Sequence, residues 1–356
     1  MFKERVNKIG LSLDKNEALL IMSGANRLYF TGFHSSAGMV LITKNGGSFY
    51  IDFRYFEKAK STVDSCEVIL SERTFKEIAD SLKKQGIDTL YLETATISVS
   101  QFKDIKETLE GIEISSSDKF DKIIEEMRSI KTAAEVELIK KAQKLTDDTF
   151  DYILDRIKVG RSEKEVMLDM EFFMRSKGSE GVSFDFIVVS GKNSSLPHGV
   201  PTDKLIENGD FLTMDFGAVV SGYHSDMTRT VAVGSVTDEQ IKVYNTVLKA
   251  QNEALKAIKP GVVCKDIDKV ARDIIYGAGY EGCFGHGLGH SVGIEIHENP
   301  NFNTRCDKIL KQGTIMTVEP GIYIENKFGV RIEDMVYVTS DGILNLTNSK
   351  KELITL

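Results

Sequence analysis

A frame of nine residues occurs twice in this chain of 356: Gly209-Asp-Phe-Leu-Thr-Met-Asp215-Phe-Gly217 and Gly313-Thr-Ile-Met-Thr-Val-Glu319-Pro-Gly321. The first Gly, the Thr, the acid and the last Gly all recur at a constant offset of 104. In each copy the acid follows the Thr by two positions, so on a strand both side chains share one face. A second acid follows each copy, Asp226 eleven residues and Glu333 fourteen residues after the first. Gly-containing turns between them bring a return strand, and the second acid, back beside the first. Repetition of a whole carboxylate hairpin implies two halves related by a pseudo-two-fold, with four acids meeting at its axis.

Four facing carboxylates repel at neutral pH, and burial alone would force protons onto some of them. Two divalent cations remove the conflict by supplying the opposite charge. Oxygen donors suit Mn, Mg or Ca, and an added imidazole shifts the preference toward Mn, Co, Fe or Zn. Three of the six histidines cluster in Gly285-His286-Gly-Leu-Gly-His290-Ser-Val-Gly-Ile-Glu-Ile-His297. The glycines between His286 and His290 argue against the helical His-pair motif of other metalloproteases. One imidazole and four acids make a dinuclear site, with metals roughly 3.5–4 Å apart, able to activate a bridging water. A lone acid on a strand is ordinarily a solvated face or an edge guard, but a solvated face has no reason to recur in one frame at one offset. Gly285 to Gly289 imitates a dinucleotide-binding loop, yet its spacing is wrong and no helix start follows. His34 and His224 read as packing or local hydrogen-bonding residues. For His198, in Ser190-Gly-Lys-Asn-Ser-Ser-Leu-Pro-His198-Gly, local sequence leaves a loop role and a substrate contact equally open.

The rest of the chain organises around this half. In the first third, Met39–Thr43 and Ser48–Asp52 read as strands around a hairpin signal at Asn45-Gly46-Gly47, Ala79–Gln85 as a helix and Thr89–Glu93 as a strand. A long helical stretch is expected from Lys119 to Ile157, with Val136, Ile139, Ala142 and Leu145 at helical spacing. The sequence therefore predicts a smaller α/β domain over residues 1–120 and an α+β domain over 121–356. In the second, helices are expected at Ser162–Lys177, where Ser162 and Glu165 form a capping-box pattern, at Thr237–Ile258 and at Cys264–Ala278. Strands are expected at Asp185–Ser190, Phe211–Ala218, Met227–Val233, Thr314–Glu319 and Arg331–Thr339. A formal charge of −8 argues against nucleic-acid or polybasic membrane binding. No apolar run has the length of a span or an export signal. The four cysteines, Cys66, Cys264, Cys283 and Cys306, form no C-x-x-C pair and read as reduced thiols in a cytoplasmic protein.

At these residues the chain resembles the pita-bread metallopeptidases: aminopeptidase P, prolidase, methionine aminopeptidase and creatinase. The segments that carry the likeness are Leu196-Pro-His198-Gly, Met214-Asp215-Phe-Gly-Ala, Gly222-Tyr-His-Ser-Asp226-Met-Thr-Arg-Thr, His286-Gly-Leu-Gly-His290, Val318-Glu319-Pro-Gly-Ile and Val330-Arg331-Ile-Glu333-Asp. Ile51-Asp52-Phe-Arg54-Tyr55 and Ile130-Lys131-Thr resemble the creatinase-type N-terminal domain. The resemblance implies a pita-bread catalytic domain behind that smaller domain. Its implied metal ligands are Asp215, Asp226, His290, Glu319 and Glu333, with Asp226 and Glu333 bridging two divalent ions, Mn first and Co, Zn or Fe as substitutes. Glu319 would also carry a proton from water to the leaving nitrogen, and His198 and His297 would flank the scissile bond. Arg331, two residues before Glu333, would hold a ligand carboxylate or meet a substrate carboxylate. The implied substrates are small peptides with proline in second position. The separate N-terminal domain and intact ligand set set methionine aminopeptidase and creatinase aside. An Xaa-Pro aminopeptidase is the expectation, with a prolidase restricted to dipeptides as its alternative and a non-catalytic peptide-binding module as a third reading. A homodimer is the expected assembly.

Overall fold

The computed structural model describes residues 1–356, and the chain divides into two compact units, Met1–Glu126 and Met127–Leu356. In the first, strands β1 (Glu17–Ile21), β2 (Met39–Thr43), β3 (Gly46–Ile51), β4 (Glu67–Leu70), β5 (Thr89–Leu92) and β6 (Glu113–Ser115) form one mixed sheet in the order β4-β3-β2-β1-β5-β6. Helices α1 (Phe2–Leu11), α2 (Gly24–Thr31), α3 (Phe53–Thr62), α4 (Thr74–Gln85) and α5 (Val99–Thr108) accompany it. Ala18 and Leu20 of β1 pack with Ile78 and Leu82 of α4 in a buried cluster, as the two-residue period of a strand requires. Thr43 pairs with Gly46, so the hairpin turn is Lys44-Asn45 and the two glycines already belong to β3. A Cβ on Gly47 would lie 2.7 Å from Cys66 Sγ, which explains a glycine inside a strand.

The expected helix from 119 to 157 is two helices, α6 (Lys119–Ser129) and α7 (Ala133–Leu154). Thr132 and Glu135 form a reciprocal capping box that starts α7 afresh. Lys131 N meanwhile donates to Gly313 O, outside any helical ladder.

In the second unit the elements recur in the same order. Helices α7 and α8 (Glu163–Ser176) precede β7 (Ile187–Ser190), β8 (Asp210–Phe216), a small hairpin of β9 (Val219–Val220) and β10 (Tyr223–His224), and β11 (Met227–Val233). Helices α9 (Asp238–Ala257) and α10 (Cys264–Gly277) then precede β12 (Gly289–Ser291), β13 (Glu298–Phe302), β14 (Ile315–Val318), a small hairpin of β15 (Gly321–Ile324) and β16 (Phe328–Arg331), β17 (Asp334–Val338) and β18 (Ile343–Asn345). The two main sheets run β11-β8-β7 and β13-β12-β14-β17-β18. Each half has its own core: Phe150, Val166 and Met170 with Leu212, Met214 and Val231 in the first, and Val243, Val247 and Ile267 with Met316, Val318 and Val336 in the second. The expected strand 331–339 is interrupted at Ile332-Glu333, because the chain leaves β15 as its partner and joins β14.

Candidate metal centre and active site

Each repeat delivers its first acid at the end of an outgoing strand and its second just before the return strand. Asp215 lies in β8 opposite Thr228, and Asp226 immediately precedes β11. Glu319 follows β14 directly, and Glu333 precedes β17, whose Asp334 pairs with Val318. The glycines of the region permit this crowding. A Cβ on Gly217 would sit 1.9 Å from Ser225 O, and one on Gly289 would sit 2.1 Å from Thr317 O. Without a side chain at these places the backbones beside Asp226 and His290 can close up.

The halves are stitched together between β11 and the interrupted segment. Thr228 Oγ1 donates to Glu333 Oε2 at 2.8 Å, Arg331 Nε donates to Thr228 Oγ1 at 3.0 Å, and Glu333 N donates to Thr228 O at 3.1 Å. Arg229, buried, ion-pairs with Asp334 at 2.7 Å.

Asp226, His290 and Glu333 bring ligand atoms within 4.8 Å of one another, all buried. His290 Nε2 stands 3.6 Å from Asp226 Oδ2 and 3.5 Å from Glu319 Oε1. Its Nδ1 lies 3.1 Å from Ser291 O. A carbonyl only accepts, so Nδ1 carries the proton and Nε2 turns a lone pair toward the carboxylates. Asp215 Oδ2 accepts from Arg331 Nη2 at 2.6 Å, while Asp215 Oδ1 and Glu333 Oε1 are buried without a hydrogen-bond partner. Unpaired buried acceptors beside an imidazole lone pair are a donor set awaiting a cation.

The electrostatics follow from this crowding. Burial, with the charges of Glu333, Asp215 and Glu319, lifts Asp226 far above the carboxylate range. Burial, with Glu319 and Asp215, does the same to Glu333. Glu319 is pushed up to about 8 by burial and Asp215, against the pull of Arg331. Burial and neighbouring His297 lower His290 to about 4, which keeps it neutral. Divalent charge placed among these groups would reverse the penalty on every acid at once.

The cluster forms the floor of a cleft of about 1280 Å³. All eight residues singled out from the sequence line it: Asp215, Asp226, His290, Glu319, Glu333, His198, His297 and Arg331. His198 and His297 are exposed to it, and the His297 ring stands edge-on to His290 with centroids 4.5 Å apart. Phe184, Met167, Leu168 and Val200 contribute apolar surface. His224 stays outside, its Nδ1 3.3 Å from Gly293 O.

Sequence reasoning did not find the relay that orients Arg331. Arg331 Nη1 donates to Tyr323 OH at 2.8 Å, and Tyr323 OH stands 2.9 Å from His286 Nε2. His286 Nδ1 faces Gly287 O at 2.8 Å and therefore holds the ring proton, so Tyr323 donates to Nε2. Burial lowers His286 to about 4 and keeps that tautomer neutral. Tyr323 in Gly-Ile-Tyr-Ile carried no local signal, because its partners lie up to 37 residues away.

Comparison with known proteins gives this geometry a family. A model of metallopeptidase family M24 matches residues 137–340, and one of the creatinase/prolidase N-terminal domain matches residues 11–130. The chain belongs to metallopeptidase family M24. An Xaa-Pro dipeptidase of Pyrococcus furiosus is 38% identical over 355 residues, covering 99% of this chain and 100% of that protein. The solved Xaa-Pro dipeptidase from Bacillus anthracis superposes with a TM-score of 0.95 at 41% identity over the full length of both chains. The X-Pro aminopeptidase from Thermotoga maritima does so with a TM-score of 0.91 at 37% identity, covering 98% of this chain and 100% of that one. The two-domain M24 architecture with a pita-bread catalytic domain is thus this chain's fold. The likeness extends to dipeptidases and an aminopeptidase alike, but the full-length relatives fit the dipeptidase alternative better than the aminopeptidase expectation. No helix is long and apolar enough to cross a membrane.

Proposed function

We propose that the protein is an Xaa-Pro dipeptidase whose cleft holds two divalent ions, Mn before Co, Zn or Fe. The observation that carries the metallopeptidase chemistry is the buried Asp226–His290–Glu333 cluster, with Glu333 Oε1 and Asp215 Oδ1 left unpartnered. Asp215, Asp226, His290, Glu319 and Glu333 would hold the ions. When bound, the ions supply Lewis acidity toward the scissile carbonyl and toward water. Glu319, ionised once divalent charge offsets its crowding, would take the proton from that water and return it to the leaving proline nitrogen. His297 donates to the carbonyl oxygen as negative charge grows there, and His198 meets the substrate on the side of the leaving group. Arg331 fixes the orientation of Asp215 through its 2.6 Å contact.

A wall behind the proline or an arginine that receives its carboxylate would restrict the cleft to dipeptides. Among the basic residues lining the cleft, Arg331, Arg272 and Lys164 already pair with Asp215, Asp268 and Asp203. Arg305, exposed on the same lining, pairs with no carboxylate, which supports it as the group that reads a free C-terminus. The test is product analysis of Mn-loaded protein given an Xaa-Pro dipeptide and an Xaa-Pro-Yaa tripeptide side by side. Cleavage of the dipeptide alone is expected; equal cleavage of the tripeptide would make the protein an aminopeptidase.

A further inference from the structure

A second buried carboxylate works beside this cleft without belonging to the acid cluster. Glu163, the first residue of α8, is 0% exposed. Its Oε1 accepts from Ser190 N at 2.6 Å, Ser190 Oγ at 3.1 Å and Asn193 Nδ2 at 3.2 Å. Its Oε2 accepts from Thr202 N at 2.9 Å and Thr202 Oγ1 at 2.7 Å. Burying a carboxylate is costly unless its lone pairs are filled. Here amide and hydroxyl donors fill them, and the N-terminal end of α8 adds a favourable field.

The donors come from two places in the chain that bracket His198. Ser190 and Asn193 begin the segment and Thr202 ends it, so a single carboxylate ties the two ends together. The backbone reinforces the tie: Glu163 N donates to Lys204 O at 3.1 Å and Lys164 N to Thr202 O at 3.2 Å. On its inner side the segment is held by Gly329 N donating to Ser194 Oγ at 2.9 Å and by Arg331 Nη1 donating to Pro197 O at 3.2 Å. His198 itself is exposed on the cleft, so the course of this backbone sets where the imidazole points.

We propose that Glu163 is a positioning residue for the peptidase reaction, its carboxylate gathering residues 190–202 so that His198 stands over the cleft where the substrate binds. The inference rests on the reading above, in which His198 meets the substrate. A carboxylate serves this purpose better than an amide, because both of its oxygens accept from the donors on either side. Glutamine would keep the volume but turn an amino group toward one of the two sets of N–H and O–H donors.

The experiment is a double-mutant cycle on the full-length, metal-saturated protein with an Xaa-Pro dipeptide as substrate. Glu163→Gln is expected to lower kcat/KM about tenfold or more. In a His198→Ala background the same change is expected to cost under about twofold, because the group it positions is gone. Bound metal per chain is expected to match that of the unsubstituted protein. A loss of equal size in both backgrounds, no loss at all, or reduced bound metal would each overturn the inference. Full activity in His198→Ala alone would remove the substrate contact itself, and the inference with it, so the two failures are told apart. Should Glu163→Gln not fold, Thr202→Val removes one hydroxyl donor from an exposed residue at nearly constant shape. It is expected to give a smaller loss with the same dependence on His198, and additivity there would overturn the proposal equally.

Discussion

Thr228 of the first repeat donates its hydroxyl hydrogen to Oε2 of Glu333, the second acid of the other repeat, at 2.8 Å. The same hydroxyl oxygen accepts from Arg331 Nε at 3.0 Å. One small side chain therefore orients a candidate ligand and the arginine that fixes Asp215. Thr228→Val keeps the shape and removes both bonds, leaving a buried guanidinium N–H and a carboxylate oxygen short of a partner. A loss of about 1–3 kcal/mol in stability and a metal affinity weakened about 10–100-fold are expected. Urea unfolding and Mn titration measure the two, and unchanged affinity would contradict the role given to Thr228.

The acid cluster also ties folding to metal. Asp226, Glu333 and Glu319 are all held above the carboxylate range by burial and by neighbouring carboxylates, Asp215 acting on each of them. A cation that binds only the folded chain stabilises it by about 2.7 kcal/mol at a hundred times its Kd. Thermal unfolding should therefore shift upward on adding Mn to chelator-treated protein, and the shift should shrink in Asp226→Asn. A melting temperature indifferent to metal would count against the cluster as a cation site.

Acid should loosen the fold through a different carboxylate. Glu298, 6% exposed, is penalised by burial, yet Lys131 and Arg128 outweigh that cost and hold it at about 2 against an ordinary value of 4.5. A carboxylate whose folded value is depressed stabilises the protein above its unfolded value and loses that contribution as pH falls through the folded one. The contribution is thus complete above about pH 5 and gone near pH 2, an amount on the order of 3 kcal/mol. Urea midpoints measured at pH 6 and pH 3 should differ less in Glu298→Gln than in the unsubstituted protein. An equal difference in both would show that Glu298 does not set this slope.

Arg305 offers the sharpest test of substrate length. If its guanidinium receives the proline carboxylate, Arg305→Ala removes a charge-assisted contact of about 1.5–3 kcal/mol. KM for an Xaa-Pro dipeptide should then rise about tenfold or more, with kcat little changed. An amidated Xaa-Pro substrate, which lacks the carboxylate, should be insensitive to the substitution. Equal effects on both substrates would assign the carboxylate to another group.

Local pattern carried much of this molecule. The repeated Gly-x-x-x-Thr-x-acid-x-Gly frame is a strand followed by a close backbone crossing, and each of its constraints is short in sequence. The helices at Thr237 and Ser162 begin where their capping boxes stand. The break between α6 and α7 had a signal too, in Thr132 and Glu135, but the apolar spacing of the longer stretch masked it. Tertiary relations were not legible in the same way. Arg331 and Asp215 are 116 residues apart, and nothing near either residue says which carboxylate the guanidinium meets. The interruption at Ile332-Glu333 is likewise set by a change of strand partner rather than by propensity. Glu163 reads in sequence as an ordinary first-turn acid of a helix, and only the fold brings Ser190 and Thr202 to its two oxygens.

The buried acids and His290 are proposed as the metal centre of an Xaa-Pro dipeptidase. This assignment is tested most directly by treating the protein with a chelator and following hydrolysis of an Xaa-Pro dipeptide before and after Mn is returned. No turnover is expected in the chelated protein, with recovery on adding Mn and no recovery in Glu319→Gln although that variant folds. Full hydrolysis without metal, or a fully active Glu319→Gln, would contradict it.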